Sequence, residues 1–335
     1  KAIAKAAELL PEGQAELLAA RGQYLYRYES DFKGAYELQK RAFAAMPSNA
    51  DMAGDLGIIQ RRIGLWDEAV VSLTLADKLN PTEPEWARHL ASTLLLSHKY
   101  DELSELLVSL RARFPNDSSI ASAEVSMIIN STGDLKKARL LMDAISPSAT
   151  LNYMLNILWL PWAERDYQRA NDIWNAPQHI KVVKNWSTIS LVAQAGVYIK
   201  MNDMESANRL LTTAIAVPID ESLPISILSA HYENRAWAYS LLGAHEQAIA
   251  DINKAIELDH YKDNQLDGLQ TLSIKAFVLA RAGRSDEAIE LLKLIVNQPG
   301  GFSSWHYYLD PGWDFFRDNE TFNQLIKPAN FDQSI

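Results

Sequence analysis

Apolar residues return along this chain at steps of three and four, the spacing that sets them on one face of an α-helix. The stretch Leu56-Gly57, Gly64, Trp66, Ala69, Leu73, Ala76, Pro81 shows the arrangement most plainly. A first helix ends at a glycine, a second opens on a small residue, a large apolar residue follows four positions on, and a proline stops the run. The same order returns at Ala236, Tyr239, Gly243, Ala248, Ile252, Ala255 and at Ala276, Leu279, Gly283, Ala288, Leu292, Ile295. The pattern predicts an all-α chain of paired helices.

Aligning the residue that opens each second helix gives Ala35, Ala69, Leu103, Ala138, Ala170, Ala207, Ala248 and Ala288, at intervals of 34, 34, 35, 32, 37, 41 and 40 residues. Each residue type has a physical reason. A small side chain at the crossing lets two antiparallel backbones approach, and the large residue one turn on (Leu73, Leu107, Trp174, Leu211, Ile252 or Leu292) shares its face. Gly64, Gly133, Gly243 and Gly283 fall between the helices, where a left-handed residue is expected to end the first. Asp67, Asp134, Asp203 and Asp286 lie near the start of second helices, where a carboxylate caps free amides and meets the positive end of the dipole. Pro47, Pro81 and Pro115 follow second helices and end them. The expected organisation is about eight helix pairs over residues 1–300, degenerate around Leu103, Ala138, Ala170 and Ala207. Lys1–Leu10, ahead of Pro11, reads as the second helix of a further repeat whose first half lies upstream.

A helix-pair unit of about 34 residues with these residue types resembles the tetratricopeptide repeat (TPR). The resemblance covers roughly residues 1–300 and implies a TPR-type right-handed superhelix of antiparallel helix pairs, an α-α solenoid. Its implied work is non-catalytic protein–protein interaction. The ending, Leu309-Asp310-Pro311, Trp313-Asp314, Phe316-Arg317-Asp318 and Phe322-Asn323-Gln324-Leu325, is similar to the closing segment of certain bacterial multidomain signalling proteins. Phe316 stands where that ending commonly has Leu. In those proteins the array follows a protein kinase, a nucleotide cyclase or a winged-helix DNA-binding domain, which implies a sensory or regulatory region. In physical terms, residues 301–335 are expected to form a cap, with Trp313, Phe315, Phe316, Phe322 and Leu325 covering the apolar face that the last repeat leaves open.

Composition narrows the function. The 335 residues are 48% hydrophobic, ample for a large core, and carry a formal net charge of -10. That surface repels phosphate backbones, so direct nucleic-acid binding is not expected of this region. The absence of cysteine excludes disulfides, thiolate metal sites and a cysteine nucleophile. No run approaches the roughly 20 apolar residues of a membrane span. Because the sequence opens on Lys1 and not on Met, it reads as a fragment. Cytoplasmic placement is the default expectation, and a membrane span upstream of Lys1 would instead put the repeats in the periplasm.

Motifs for chemistry are missing. Neither a Walker loop nor a G-x-G-x-x-G occurs. The seven histidines form no His-Glu-x-x-His arrangement and read as surface residues. The carboxylate pairs Asp67-Glu68, Asp101-Glu102 and Asp286-Glu287 open second helices, where capping explains them. The expectation is a protein that is no enzyme and uses no cofactor or metal.

Binding is the better expectation. In such superhelices the concave wall is lined by first helices, and the register places Tyr24, Arg27, Ile58, Arg61, Trp159, Trp162, Glu233, Asn234 and Trp237 on it, with Arg62 at its edge. Aromatic residues beside arginines are common anchors for a partner, so a protein or peptide in this groove is the expected ligand. The Lys/Asn/Arg pattern of TPR clamps for chaperone tails is missing, since Asn234 alone fills a comparable slot. Pro161, late in a first helix, is expected to kink it or end it early, which leaves two readings: a locally adjusted helix pair, or a groove reshaped into a pocket walled by Trp159 and Trp162. Extra loop length is expected at 176–184 and 217–224. Two other readings stay open: a homo-oligomerisation module, and a small-ligand sensor in the irregular middle.

Overall fold

The computed structural model describes residues 14–145, 151–176, 187–259, 263–329 and 331. The half repeat expected at Lys1–Leu10 and most of the loop expected at 176–184 lie outside these residues. Every regular element among them is helical. The pairs are α1 (Ala15–Tyr24, continued by a π-helical turn, Leu25–Glu29) with α2 (Phe32–Ala45), α3 (Ala50–Arg62) with α4 (Trp66–Leu79), α5 (Pro84–Leu96) with α6 (Tyr100–Arg113) and α7 (Ser118–Thr132) with α8 (Leu135–Ala144). They continue as α9 (Leu151–Ala163) with α10 (Tyr167–Asn175), α11 (Ser187–Lys200) with α12 (Met204–Ile215), α13 (Ile225–Leu241) with α14 (His245–Leu258) and α15 (Gln265–Arg281) with α16 (Ser285–Ile295). A short tail follows: α17 (Ser304–Leu309), a 3-10 turn (Pro311–Phe316) and α18 (Glu320–Ile326). The architecture is the TPR-type α-α solenoid that the sequence predicts.

All eight aligned residues, from Ala35 to Ala288, sit inside second helices and are at most 1% exposed. Seven of them are alanines, whose small side chain permits a close crossing, and Leu103 fills the same place with a larger side chain. Asp31, Asp134, Asp166 and Asp203 are N-caps, each accepting from the amide three positions on. Asp67 and Asp286 instead lie one residue inside their helices. There they favour the dipole without capping, and Asp67 pairs with Lys99 at 2.8 Å. Pro161 does not end its helix, for α9 runs on to Ala163.

The turn between first and second helices passes through the left-handed region in every pair. The residues there are Ser30, Gly64, His98, Gly133, Arg165, Asn202, Gly243 and Gly283, with φ between 53° and 83°. Glycine suits four of them, as expected. The other four carry side chains where a left-handed backbone costs about 1–2 kcal/mol, and two of these, His98 and Arg165, reach the tail.

The array curves until its two ends meet. α3 packs against α15, and the backbone of Gly64 lies so close to Gln265 that an added Cβ would stand 2.3 Å from its side-chain oxygen. Arg62 forms an ion pair with Asp267 and donates to Asn264 Oδ1 at 3.1 Å. Lys33 pairs with Asp263 at 2.6 Å. The tail then folds back over the last pair. Trp313, Phe316, Phe322 and Ile326 are buried in one core with Leu292 and Ile295. Trp313 meets Phe277 edge-on at 5.4 Å, while Phe315 stays 41% exposed.

Candidate binding surface

The chain's own tail lies against first helices and the turns that follow them. The backbone amide of Gly300 donates to the carbonyl of Leu96 at 2.8 Å. His98, in its left-handed turn, places Nδ1 at 3.3 Å from the Asn297 carbonyl and Nε2 at 3.2 Å from that of Gly301. Burial holds the His98 imidazole below its ordinary pKa, against the pull of those two carbonyls. A neutral ring donates to one carbonyl only. Ser303 Oγ donates to Asn130 Oδ1 at 2.8 Å, and Trp305 lies over Gly133, where a Cβ would come within 2.3 Å of its ring.

The tryptophans expected on the wall are engaged by the same tail. Trp159 stacks on His306 at 5.0 Å, and Phe302 closes the other contact with that imidazole at 4.2 Å. Trp162 donates from Nε1 to Asp310 Oδ1 at 2.7 Å. Where the sequence suggested a pocket, both indoles thus face His306 and Asp310. Arg165, in the turn after α9, and Lys200, at the end of α11, converge on Asp314 at 2.9 and 2.8 Å. His98 and His306 are not the incidental surface residues that the sequence suggested. Burial pushes the pKa of each down.

A second polar group lies where the array closes. Arg62 accompanies its acid pair with a bond to Tyr26 Oη at 3.2 Å and stands over the rings of Tyr26 and Phe32. Asp267, its partner, shares α15 with Thr271, whose hydroxyl donates to Glu233. Burial pushes the Glu233 carboxyl up to about 7, and the nearby carboxylates of Asp267 and Asp259 add to that. Arg62 and Glu233, far apart in sequence, therefore belong to one network. Arg61 is buried beside it, with Nη1 at 3.4 Å from Thr93 Oγ1.

The remaining wall residues are not brought together. Tyr24 is 42% exposed and leans on Tyr28. Arg27 donates to Gln23 at 3.0 Å and opposes the burial that pushes Asp55 up to about 6. Asn234 donates to Ala230 in its own helix, and Trp237 packs between neighbouring pairs. Among the described residues no cluster of His, Asp and Glu has the makings of a metal site, and no helix is long and apolar enough to cross a membrane.

Residues 232–260, across α13 and α14, match the family model of the tetratricopeptide repeat. None of the curated proteins matches the sequence. Among solved structures, a tetratricopeptide repeat protein from Parabacteroides merdae is similar over 80% of this chain and 98% of its own, with a TM-score of 0.51 and 20% identity. A monomeric mutant of human IFIT1 with Gppp-AAAA is similar over 93% of this chain and 71% of its own, with a TM-score of 0.51 and 13% identity. At such identities the likeness is one of fold.

Proposed function

We propose that this protein is a non-catalytic scaffold that binds a segment of a partner protein along its inner wall, as the regulatory region of a larger bacterial signalling protein. One observation carries the binding reading: the wall already holds the chain's own residues 297–314, through one backbone bond, the His98 contacts to backbone carbonyls, an aromatic stack and ion pairs. Over most of its length that segment is α17 and the 3-10 turn, so side-chain contacts carry most of its recognition. The signalling context rests on the resemblance of the ending to those multidomain proteins. Occupancy of the wall would pass to the effector through the curvature of the array, because its two ends meet at Arg62 and Asp267.

The test is a peptide display screen against the purified chain, repeated with Trp159→Ala/Trp162→Ala. A drop of tenfold or more in the affinity of selected peptides, in a variant that keeps its helical circular dichroism, supports the reading. Unchanged affinity in the folded variant rejects the wall as the binding surface.

A further inference from the structure

Three donors from two neighbouring pairs converge on two carboxylates of the tail. Trp162 and Arg165 come from the end of α9 and the turn after it, and Lys200 from the end of α11. The carboxylates, Asp310 and Asp314, are four residues apart. We infer that Trp162, Arg165 and Lys200 form a recognition site for an acidic segment of a partner protein, one that Asp310 and Asp314 fill in the closed chain. This rests on the scaffold reading above and adds the chemistry of the partner.

Four observations support it. The site concentrates two cations on one carboxylate in a chain whose net charge is -10, so it is a local attractor for acids. It is open to exchange at Asp314: the side chain of Arg165 is 48% exposed and that of Asp314 is 34% exposed. Exposed pairs of this kind hold weakly. The Asp314 side chain can also turn away without undoing the cap, because Trp313 and Phe316 hold the 3-10 turn on the last-pair core. Finally, Arg165 occupies a left-handed turn position that four other pairs fill with glycine. A strained residue whose side chain makes the contact points to a function for that contact.

A tethered ligand competes at an effective concentration on the order of millimolar, so the parent chain should bind acidic peptides poorly until Asp314 is removed. The probe is a fluorescein-labelled peptide of residues 309–318, read by anisotropy, against an otherwise identical peptide with Asn at the first two aspartates. The expected result is binding at least tenfold tighter to full-length Asp314→Ala than to the parent, with at least a tenfold loss for the Asn peptide. Adding Lys200→Met should cancel the gain. Equal binding of the two peptides to folded Asp314→Ala overturns the acid recognition while leaving peptide binding to the wall intact. No gain over the parent also overturns it, and the Trp159/Trp162 screen then judges the scaffold separately. A concentration-dependent dimer lost in Asp314→Ala would assign the site to a second copy of the chain and overturn the partner assignment.

Discussion

The indole of Trp162 and the carboxylate of Asp310 are 148 residues apart in sequence and joined by a 2.7 Å hydrogen bond. That bond ties the end of α9 to the start of the 3-10 turn, and so fixes the tail on the wall at the middle of the array. Trp162→Phe keeps an aromatic side chain, smaller by one ring, and removes the donor to a charged acceptor. The expected cost is about 1–3 kcal/mol. It should appear in urea unfolding, with faster amide exchange at the 3-10 turn.

His98 and Arg165 should answer oppositely to glycine. Either substitution relieves a left-handed backbone worth about 1–2 kcal/mol. Arg165→Gly gives up only an exposed ion pair of about 0–1 kcal/mol, so its net effect should be neutral or stabilising. His98→Gly also loses a half-buried ring with its carbonyl contacts, and should destabilise. Both should speed amide exchange in the tail, Arg165→Gly around Asp314 and His98→Gly around Gly300.

Two glycines with the same backbone offer a controlled pair. Gly133→Ala drives a Cβ to 2.3 Å from the Trp305 ring, whereas at Gly243 nothing lies within 4 Å. Gly243→Ala should cost only the left-handed penalty, about 1–2 kcal/mol. Gly133→Ala should cost about 1–3 kcal/mol more, through overpacking. Thermal unfolding of the two variants side by side measures the difference.

Stability should depend on pH through Glu233. Its pKa is about 7 in the folded chain against an ordinary 4.5. The folded state therefore binds the proton more tightly, so this stabilisation is complete below the ordinary value and lost as pH rises through about 7. Glu233→Gln keeps an uncharged partner for Thr271 and should flatten that loss, leaving the variant more stable than the parent by about 1–3 kcal/mol at alkaline pH. Melting curves from about pH 5 to pH 8 test the sign.

The repeats were legible because their signals are local. A small residue at the crossing, a glycine in the turn and an aspartate at the cap each act within a few residues, and Ala35 to Ala288 could be aligned from such signals alone. Closure has no local signature. It sums small rotations over eight pairs and brings Lys33 to Asp263 and Arg62 to Asp267 across more than 200 positions. Trp159, Trp162 and Arg62 were expected on one wall, but nothing near them in sequence marks His306, Asp310 or Asp267 as their partners. His98 and Arg165 were missed for another reason: a left-handed residue other than glycine leaves no mark until the register shows it standing where other pairs carry glycine.

The placement of the tail on the inner wall is open to direct chemical reading. Lys200 Nζ and Asp314 Oδ2 are 2.8 Å apart, close enough for a carbodiimide to join them by a zero-length amide. Lys99 and Asp67, also 2.8 Å apart but within consecutive pairs of the array, serve as the internal standard. Digestion and mass spectrometry of the monomer should recover both cross-links in comparable yield. Recovery of Lys99–Asp67 without Lys200–Asp314 would show that the tail does not lie on the wall.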